Sequence, residues 1–336
     1  MSAGLLAADR PLAELFDLAL VDLDGVAYRG HERVPWASES LVEARARGMR
    51  TLFVTNNASR SPDVVAEQLT ELGIPTSAPD VMTAAQAAAQ LLATRLAGGA
   101  KVLVVGADAL RDAVRAQGFE VVSSADEHPD AVAQGFSPDI AWPQLAEAAY
   151  AVADGAWYVA SNRDLSLPTA RGFAPGNGSL VLAVTSATGV TPDSAGKPEP
   201  TMYQLAIARA GGVRTLVVGD RLDTDLAGAR AGDLPGLHVL TGVSTARDDV
   251  LAVPGQRPHY IGADLRALLQ PHPVPVPNDE WWVCGEAAAR VAGGRLELRP
   301  GGDAVDLVRA ACAAAWAAAD AGLPVEPSSV PDLPSV

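Results

Sequence analysis

Short apolar runs rich in Val and Leu recur at 18–21, 51–54, 101–105, 131–134, 157–160 and 216–218, bounded by Gly, Asn or Asp. Runs that are apolar on both faces read as strands buried within a sheet. Between them lie helix-period segments at 38–47, 62–72, 84–96, 107–117, 142–153, 200–210 and 225–231. Strand–helix–strand alternation returns the chain to a parallel neighbour by a right-handed crossover. The expected fold is therefore α/β, a doubly wound parallel sheet with helices on both faces. At 336 residues the chain exceeds what one core usually holds, so two domains and a small appendix are expected.

The segment 271–277 (PHPVPVP) reads as a stiff, extended linker. Beyond it, two short strands at 280–284 and 295–299 and a helix from Asp303 are expected, too small a unit to hold a core alone. The formal net charge of −15 argues against nucleic acid or an anionic membrane surface as partner, since both need a cationic footprint. The longest apolar run, 310–319, is too short to span a bilayer. The first residues lack the basic start and apolar core of a signal peptide. Cys284 and Cys312 follow no metal-ligand or CxxC spacing. A reduced, cytoplasmic protein is expected.

The chemistry gathers where strands end. Asp22 and Asp24 close the first run in LVDLDG, and residues i and i+2 face one side of a strand. Two adjacent carboxylates need a divalent cation, a shared proton or solvent to hold them. Thr55, Asn56 and Asn57 end the second run, where hydroxyl and amide groups can bind a phosphate or simply build a turn. Asp220 ends a late run in GDRLDTD and suits an oxygen-ligand Mg²⁺ site, while Asp225 also suits a helix cap. Lys197, in Gly196-Lys197-Pro198, precedes the helix expected at 200–210. It and Lys101 are the only lysines, and the default for such a residue is a solvated loop. The five histidines adjoin no motif and read as surface or packing residues.

Taken in order, DLDGV, TNN, GKP and GDRLDTD resemble the four motifs of the haloacid dehalogenase superfamily, most closely its NagD-like and p-nitrophenyl-phosphatase-like subgroup. The resemblance covers about residues 15–269 and implies a Mg²⁺-dependent phosphatase with a Rossmann-like core. By that resemblance Asp22 is the nucleophile that forms an aspartyl-phosphate, and Asp24 the general acid and base. Thr55, Asn56, Asn57 and Lys197 bind the phosphate. Asp22, the Asp24 backbone carbonyl and Asp220 hold the metal, with Asp225 in support. The stretch from Asn57 to Lys197 is too long for one crossover. The subgroup implies an inserted α/β cap there, at 83–190, between core segments 1–82 and 191–270. A linker at 271–278, an appended α+β segment at 279–323 and a disordered tail at 324–336 complete the expected organisation.

The substrate expected is a small phosphorylated metabolite. The arginine-rich chain with a segment after a proline linker is similar to actinobacterial members of the subgroup, which implies glycerol 3-phosphate. Phosphoglycolate, a nucleoside monophosphate, a sugar phosphate and pyridoxal phosphate stay open. A phospho-acceptor signalling module is the rival from another class, opposed by Asp24 and the cap-sized insertion. Homo-oligomerisation through the cap or the C-terminal segment is a further expectation.

Overall fold

The computed structural model describes residues 4–169, 171–331 and 333. They form two compact units: one of residues 1–53, 71–74 and 207–336, the other of residues 54–70 and 75–206. The first unit is built on a parallel sheet in the spatial order Tyr260–Gly262, Gly236–Val239, Thr215–Gly219, Leu18–Val21 and Arg50–Thr55. All four residues of Leu18–Val21 are buried, as a strand flanked on both edges and covered on both faces requires. The chain leaves this strand first to one side and later returns on the other, so its C-terminal end is a topological switch point, where open α/β sheets bind ligands.

The expected helix at 225–231 begins differently. Leu222–Leu226 forms a π-helical turn that passes into the α-helix Ala227–Ala231. Its wider turn buries Asp225, and such turns are frequent at functional sites.

The C-terminal segment departs most from expectation. It contains a four-stranded antiparallel sheet of Val276–Asn278, Trp281–Cys284, Ala287–Ala292 and Arg295–Arg299, followed by the helix Ala304–Asp320. The strand Ala287–Ala292 was not foreseen because Ala-Ala-Ala-Arg-Val-Ala has neither β-branched enrichment nor strict alternation. Its one local signal is Gly293-Gly294, both at positive φ, which makes the two-residue hairpin turn that pairs Ala292 with Arg295. The presumed linker is also part of the fold. Ala8 and His272 exchange backbone hydrogen bonds of 2.9 and 2.8 Å, and Val276–Asn278 is an edge strand.

Nor is the chain beyond residue 323 a disordered tail where it is described. Val325 and Val330 are buried in one apolar cluster with Leu226, Val250, Ile261, Cys284, Val308, Cys312 and Trp316. The appended segment thus shares a core with the parallel-sheet portion, which resolves its marginal size. Arg257 is buried under the Trp316 ring and forms two 2.8 Å hydrogen bonds with Asp320. Asp332 and residues 334–336 lie outside the described residues.

The second unit has its own five-stranded parallel sheet, ordered Asp193–Ser194, Trp157–Ala160, Ala131–Gln134, Lys101–Val105 and Glu120–Val122. Leu103, Val132, Tyr158 and Val181 are among the residues of its core. An antiparallel hairpin, Ser166–Thr169 with Gly172–Pro175, follows the strand Trp157–Ala160.

Candidate active site

Asp22 directly follows the central strand of the first unit, and its N–H continues the ladder by donating to Val218 O at 2.9 Å. Its side chain is buried, whereas Asp24 is exposed. Just beyond Asp24 the chain turns: Gly25 takes φ +85° and its N–H donates to Tyr28 O at 2.8 Å. The alternation that suggested pairing Asp22 with Asp24 stops at Val21, where the strand ends. The acids clustered with Asp22 are Asp220 and Asp225, all three buried and each offering a carboxylate oxygen within 4.8 Å of the others.

Asp220 is fully buried and tightly held. Val243 N–H donates to its Oδ2 at 2.7 Å, and Ser244 N–H to its backbone carbonyl at 3.0 Å. A Cβ on Gly242 would stand 1.8 Å from Asp220 Oδ2, and one on Gly25 would stand 2.4 Å away, so only glycine fits against this carboxylate. Asp225 Oδ2 accepts a 3.2 Å hydrogen bond from Arg221 N–H, made across the π turn. The 241–244 loop went unnoticed in the sequence, where TGVS carries no titratable group.

His238 overturns the expectation that no histidine adjoins a motif. Its Nε2–H donates to the Asp220 carbonyl at 3.2 Å, and its Nδ1 lies 2.8 Å from Asp249 Oδ2. Burial pulls the imidazole down, but the Asp249 carboxylate more than reverses this and holds it above its ordinary value. Asp249 lies far from every acidic motif in the chain, so no local pattern marks the pair.

The second unit holds the remaining predicted residues. Asn56 is a strut: its Nδ2 donates to Asp164 at 3.0 Å and to Lys197 O at 3.0 Å, while its Oδ1 accepts from Lys197 N–H at 2.8 Å. Asn162 Nδ2 donates to Asn56 O at 2.7 Å. These contacts bring Lys197 to the strand end that carries Thr55, with Nζ 3.5 Å from Val54 O. Lys197 is 3% exposed, which excludes the solvated-loop reading. Thr55 is buried and its Oγ1 accepts from Asn57 N–H at 3.1 Å. Asn57 is exposed, and its Oδ1 accepts from the Ser59 N–H and hydroxyl at 2.8 Å each, so it builds the turn.

Three buried carboxylates this close repel one another unless a cation lies among them. Carboxylate and carbonyl oxygens are the donors that Mg²⁺ prefers. The residues present fit a divalent cation.

A parallel α/β sheet that buries such a trio at its switch point is suited to chemistry that uses carboxylates and a hard metal. Comparison makes this specific. A haloacid dehalogenase-like hydrolase model matches residues 19–120, and a second model of that class, HAD-hydrolase-like, matches 194–268. A GCN5-related N-acetyltransferase like domain model matches 284–330, a resemblance that sequence reading missed. The chain is 47% identical over 323 residues to the D-glycerol 3-phosphate phosphatase of Mycobacterium tuberculosis, an alignment spanning 95% of this chain and 91% of that protein. It is 35% identical to the acid sugar phosphatase of Staphylococcus saprophyticus, over 75% of this chain and 96% of that protein. The solved glycerol phosphate phosphatase of Mycobacterium tuberculosis in complex with magnesium superposes with a TM-score of 0.85 at 47% identity, covering 92% of each chain. The protein belongs to the haloacid dehalogenase-like hydrolases.

Proposed function

We propose that the protein is a Mg²⁺-dependent phosphomonoesterase whose substrate is glycerol 3-phosphate. The observation that carries the substrate is the 47% identity to a D-glycerol 3-phosphate phosphatase, sustained over 95% of the chain. The buried trio of Asp22, Asp220 and Asp225 supports the metal, for which Asp22, Asp220 and the Asp24 carbonyl are the donors we assign, with Asp225 in support. Bound there, Mg²⁺ would set positive charge against the nucleophile and the phosphoryl oxygens.

Asp22 attacks phosphorus: a carboxylate oxygen bonds to it as the phosphorus–ester oxygen bond breaks, leaving an aspartyl-phosphate. Asp24, exposed beyond the strand end, delivers its proton to the departing alcohol oxygen. A water oxygen then displaces the Asp22 oxygen, its proton passing to Asp24. Thr55 offers a hydroxyl and Lys197 an ammonium to the phosphoryl oxygens. Asn56, whose side chain is committed at both ends, contributes its backbone amide to phosphate binding, and Asn57, whose N–H is held by Thr55 Oγ1, contributes its exposed side-chain amide. The unlinked thiols of Cys284 and Cys312 are consistent with a cytoplasmic location.

The test is a panel of phosphate monoesters assayed with Mg²⁺, in which glycerol 3-phosphate should give the highest kcat/KM. A higher value for phosphoglycolate, a sugar phosphate, a nucleoside monophosphate or pyridoxal phosphate overturns the substrate. Asp22→Asn should fold normally and lose turnover by three orders of magnitude or more, roughly the scale of removing a catalytic nucleophile. Appreciable residual turnover rules Asp22 out as nucleophile.

A further inference from the structure

Asp220 ends a chain of buried hydrogen bonds that begins in the C-terminal helix. The Trp316 indole N–H, on the helix Ala304–Asp320, donates to the Asp249 backbone carbonyl at 2.9 Å. Asp249 Oδ2 meets His238 Nδ1 at 2.8 Å, and His238 Nε2–H donates to the Asp220 carbonyl at 3.2 Å. His238 and Asp249 are both fully buried, and Trp316 is nearly so.

The order of protons along this chain is constrained. A carbonyl oxygen only accepts, so Nε2 carries a hydrogen, and the contact between Nδ1 and the Asp249 carboxyl holds one further proton. The pair sits inside an apolar cluster in which Leu226, Val250, Ile261 and Val308 are buried. Well-packed apolar side chains would fill that space without desolvating an imidazole and a carboxyl. What the polar pair adds is a directed donor to the backbone of Asp220.

That donor matters because Asp220 has little room to err. Its backbone carbonyl accepts from His238 Nε2–H and Ser244 N–H, and its carboxylate lies hard against Gly242 and Gly25. A small rotation of the peptide would move the carboxylate away from Asp22 and Asp225.

We propose that His238 is a positioning residue for Asp220, and that the C-terminal segment sets it in place through Trp316 and Asp249. This gives the appended domain a part in metal binding although it carries no motif of its own. It rests on the reading of Asp220 as a metal ligand, which the control below tests separately.

The experiment measures Mg²⁺ binding to the full-length protein by titration calorimetry, alongside the Mg²⁺ concentration for half-maximal activity. His238→Leu removes the donor and should weaken Mg²⁺ binding about tenfold, the low end for losing a group that orients a ligand. The KM for the phosphate ester at saturating Mg²⁺ should not move. His238→Gln places an amide N–H near the Nε2 position and should recover most of the affinity. Trp316→Phe keeps an apolar aromatic ring in the core, loses the indole N–H together with some volume, and should weaken Mg²⁺ binding by about twofold to fivefold, less than the direct donor. Wild-type Mg²⁺ affinity in His238→Leu, or a His238→Gln variant no better than the leucine, overturns the positioning role. Wild-type affinity in Trp316→Phe overturns the link to the C-terminal segment. Should the leucine variant fail to fold, the glutamine and phenylalanine variants decide. Asp220→Asn is the control: if it binds Mg²⁺ as wild type does, the metal assignment itself falls.

Discussion

Lys197 and Lys101 are the chain's two lysines, and the structure treats them differently. Lys101 reaches a carbonyl at the protein surface, Glu127 O at 3.0 Å, while Lys197 is buried between the Asn56 strut and the Val54 carbonyl. A buried ammonium is costly unless something anionic answers it, which is what a phosphate-binding cation requires. The motif order pointed to Lys197, but its burial was not legible because Asn56, Asn162 and Asp164 all lie more than thirty residues away in the chain. His238 was illegible for the same reason. Two other buried histidines make a prediction about stability. Burial, helped by the Arg230 guanidinium, holds His259 down to about 4. At His272 burial outweighs the hydrogen bond to the Ala267 carbonyl and, with Arg309, also gives about 4. Both values lie below that of an unfolded histidine, about 6.5. Below that pH the unfolded chain takes up protons the folded chain refuses. The stabilisation is complete above about pH 6.5 and drains away as the pH falls toward 4, by roughly 3 kcal/mol per histidine. Urea midpoints measured across this window should fall steeply, and the double variant His259→Asn, His272→Asn should show a flatter profile. An unchanged slope would contradict the assignment.

Among the elements, the parallel strands were the most legible because a buried strand announces itself locally, as an apolar run ended by a polar or flexible residue. The strand expected at 131–134 is found as Ala131–Gln134 and that at 157–160 as Trp157–Ala160. The C-terminal strands were less so. Ala287–Ala292 is a strand because Trp281–Cys284 and Arg295–Arg299 pair with it on either side, a condition its own residues do not encode. The helix Ala304–Asp320 follows the expected start, with Asp303 Oδ1 accepting from Val305 N–H at 2.8 Å. Its apolar face is used within the chain, where Val308, Cys312 and Trp316 meet Ile261 and Val250. Truncation after Gln270 therefore removes part of the core. Each large apolar side chain so exposed or lost is worth about 1.5–3 kcal/mol, and several of them together match the typical net stability of a domain, about 5–15 kcal/mol. The truncated protein should be insoluble or melt without cooperativity in differential scanning fluorimetry. A soluble 1–270 fragment with a sharp transition would show that the segment is dispensable to the fold.

For the molecule as a whole, the net charge of −15 argues against polyanionic partners but not against a phosphate ester, because a site need not share the sign of its protein. A divalent cation among Asp22, Asp220 and Asp225 would offset most of their negative charge and present its own positive charge to a phosphoryl group. A ligand that binds only the folded state stabilises it. Adding Mg²⁺ to a thousandfold excess over its dissociation constant should stabilise the EDTA-treated protein by about 4 kcal/mol, and activity should return with the metal. No rise in the melting midpoint would mean that these carboxylates hold no metal. Among the described residues no helix is long and apolar enough to cross a membrane.

The chain's own residues determined its class and the identity of its reactive groups, since strand periodicity, strand-end carboxylates and the order of four short motifs are all local patterns. Tertiary structure alone decided which acids cluster: Asp22 joins Asp220 and Asp225, while its near neighbour Asp24 is exposed. It also decided that Lys197 is buried, that His238 braces Asp220, and that the chain after the proline stretch belongs to the core. Each of these depends on contacts between residues far apart in sequence. Such contacts exist only once the sheet has brought its strand ends together.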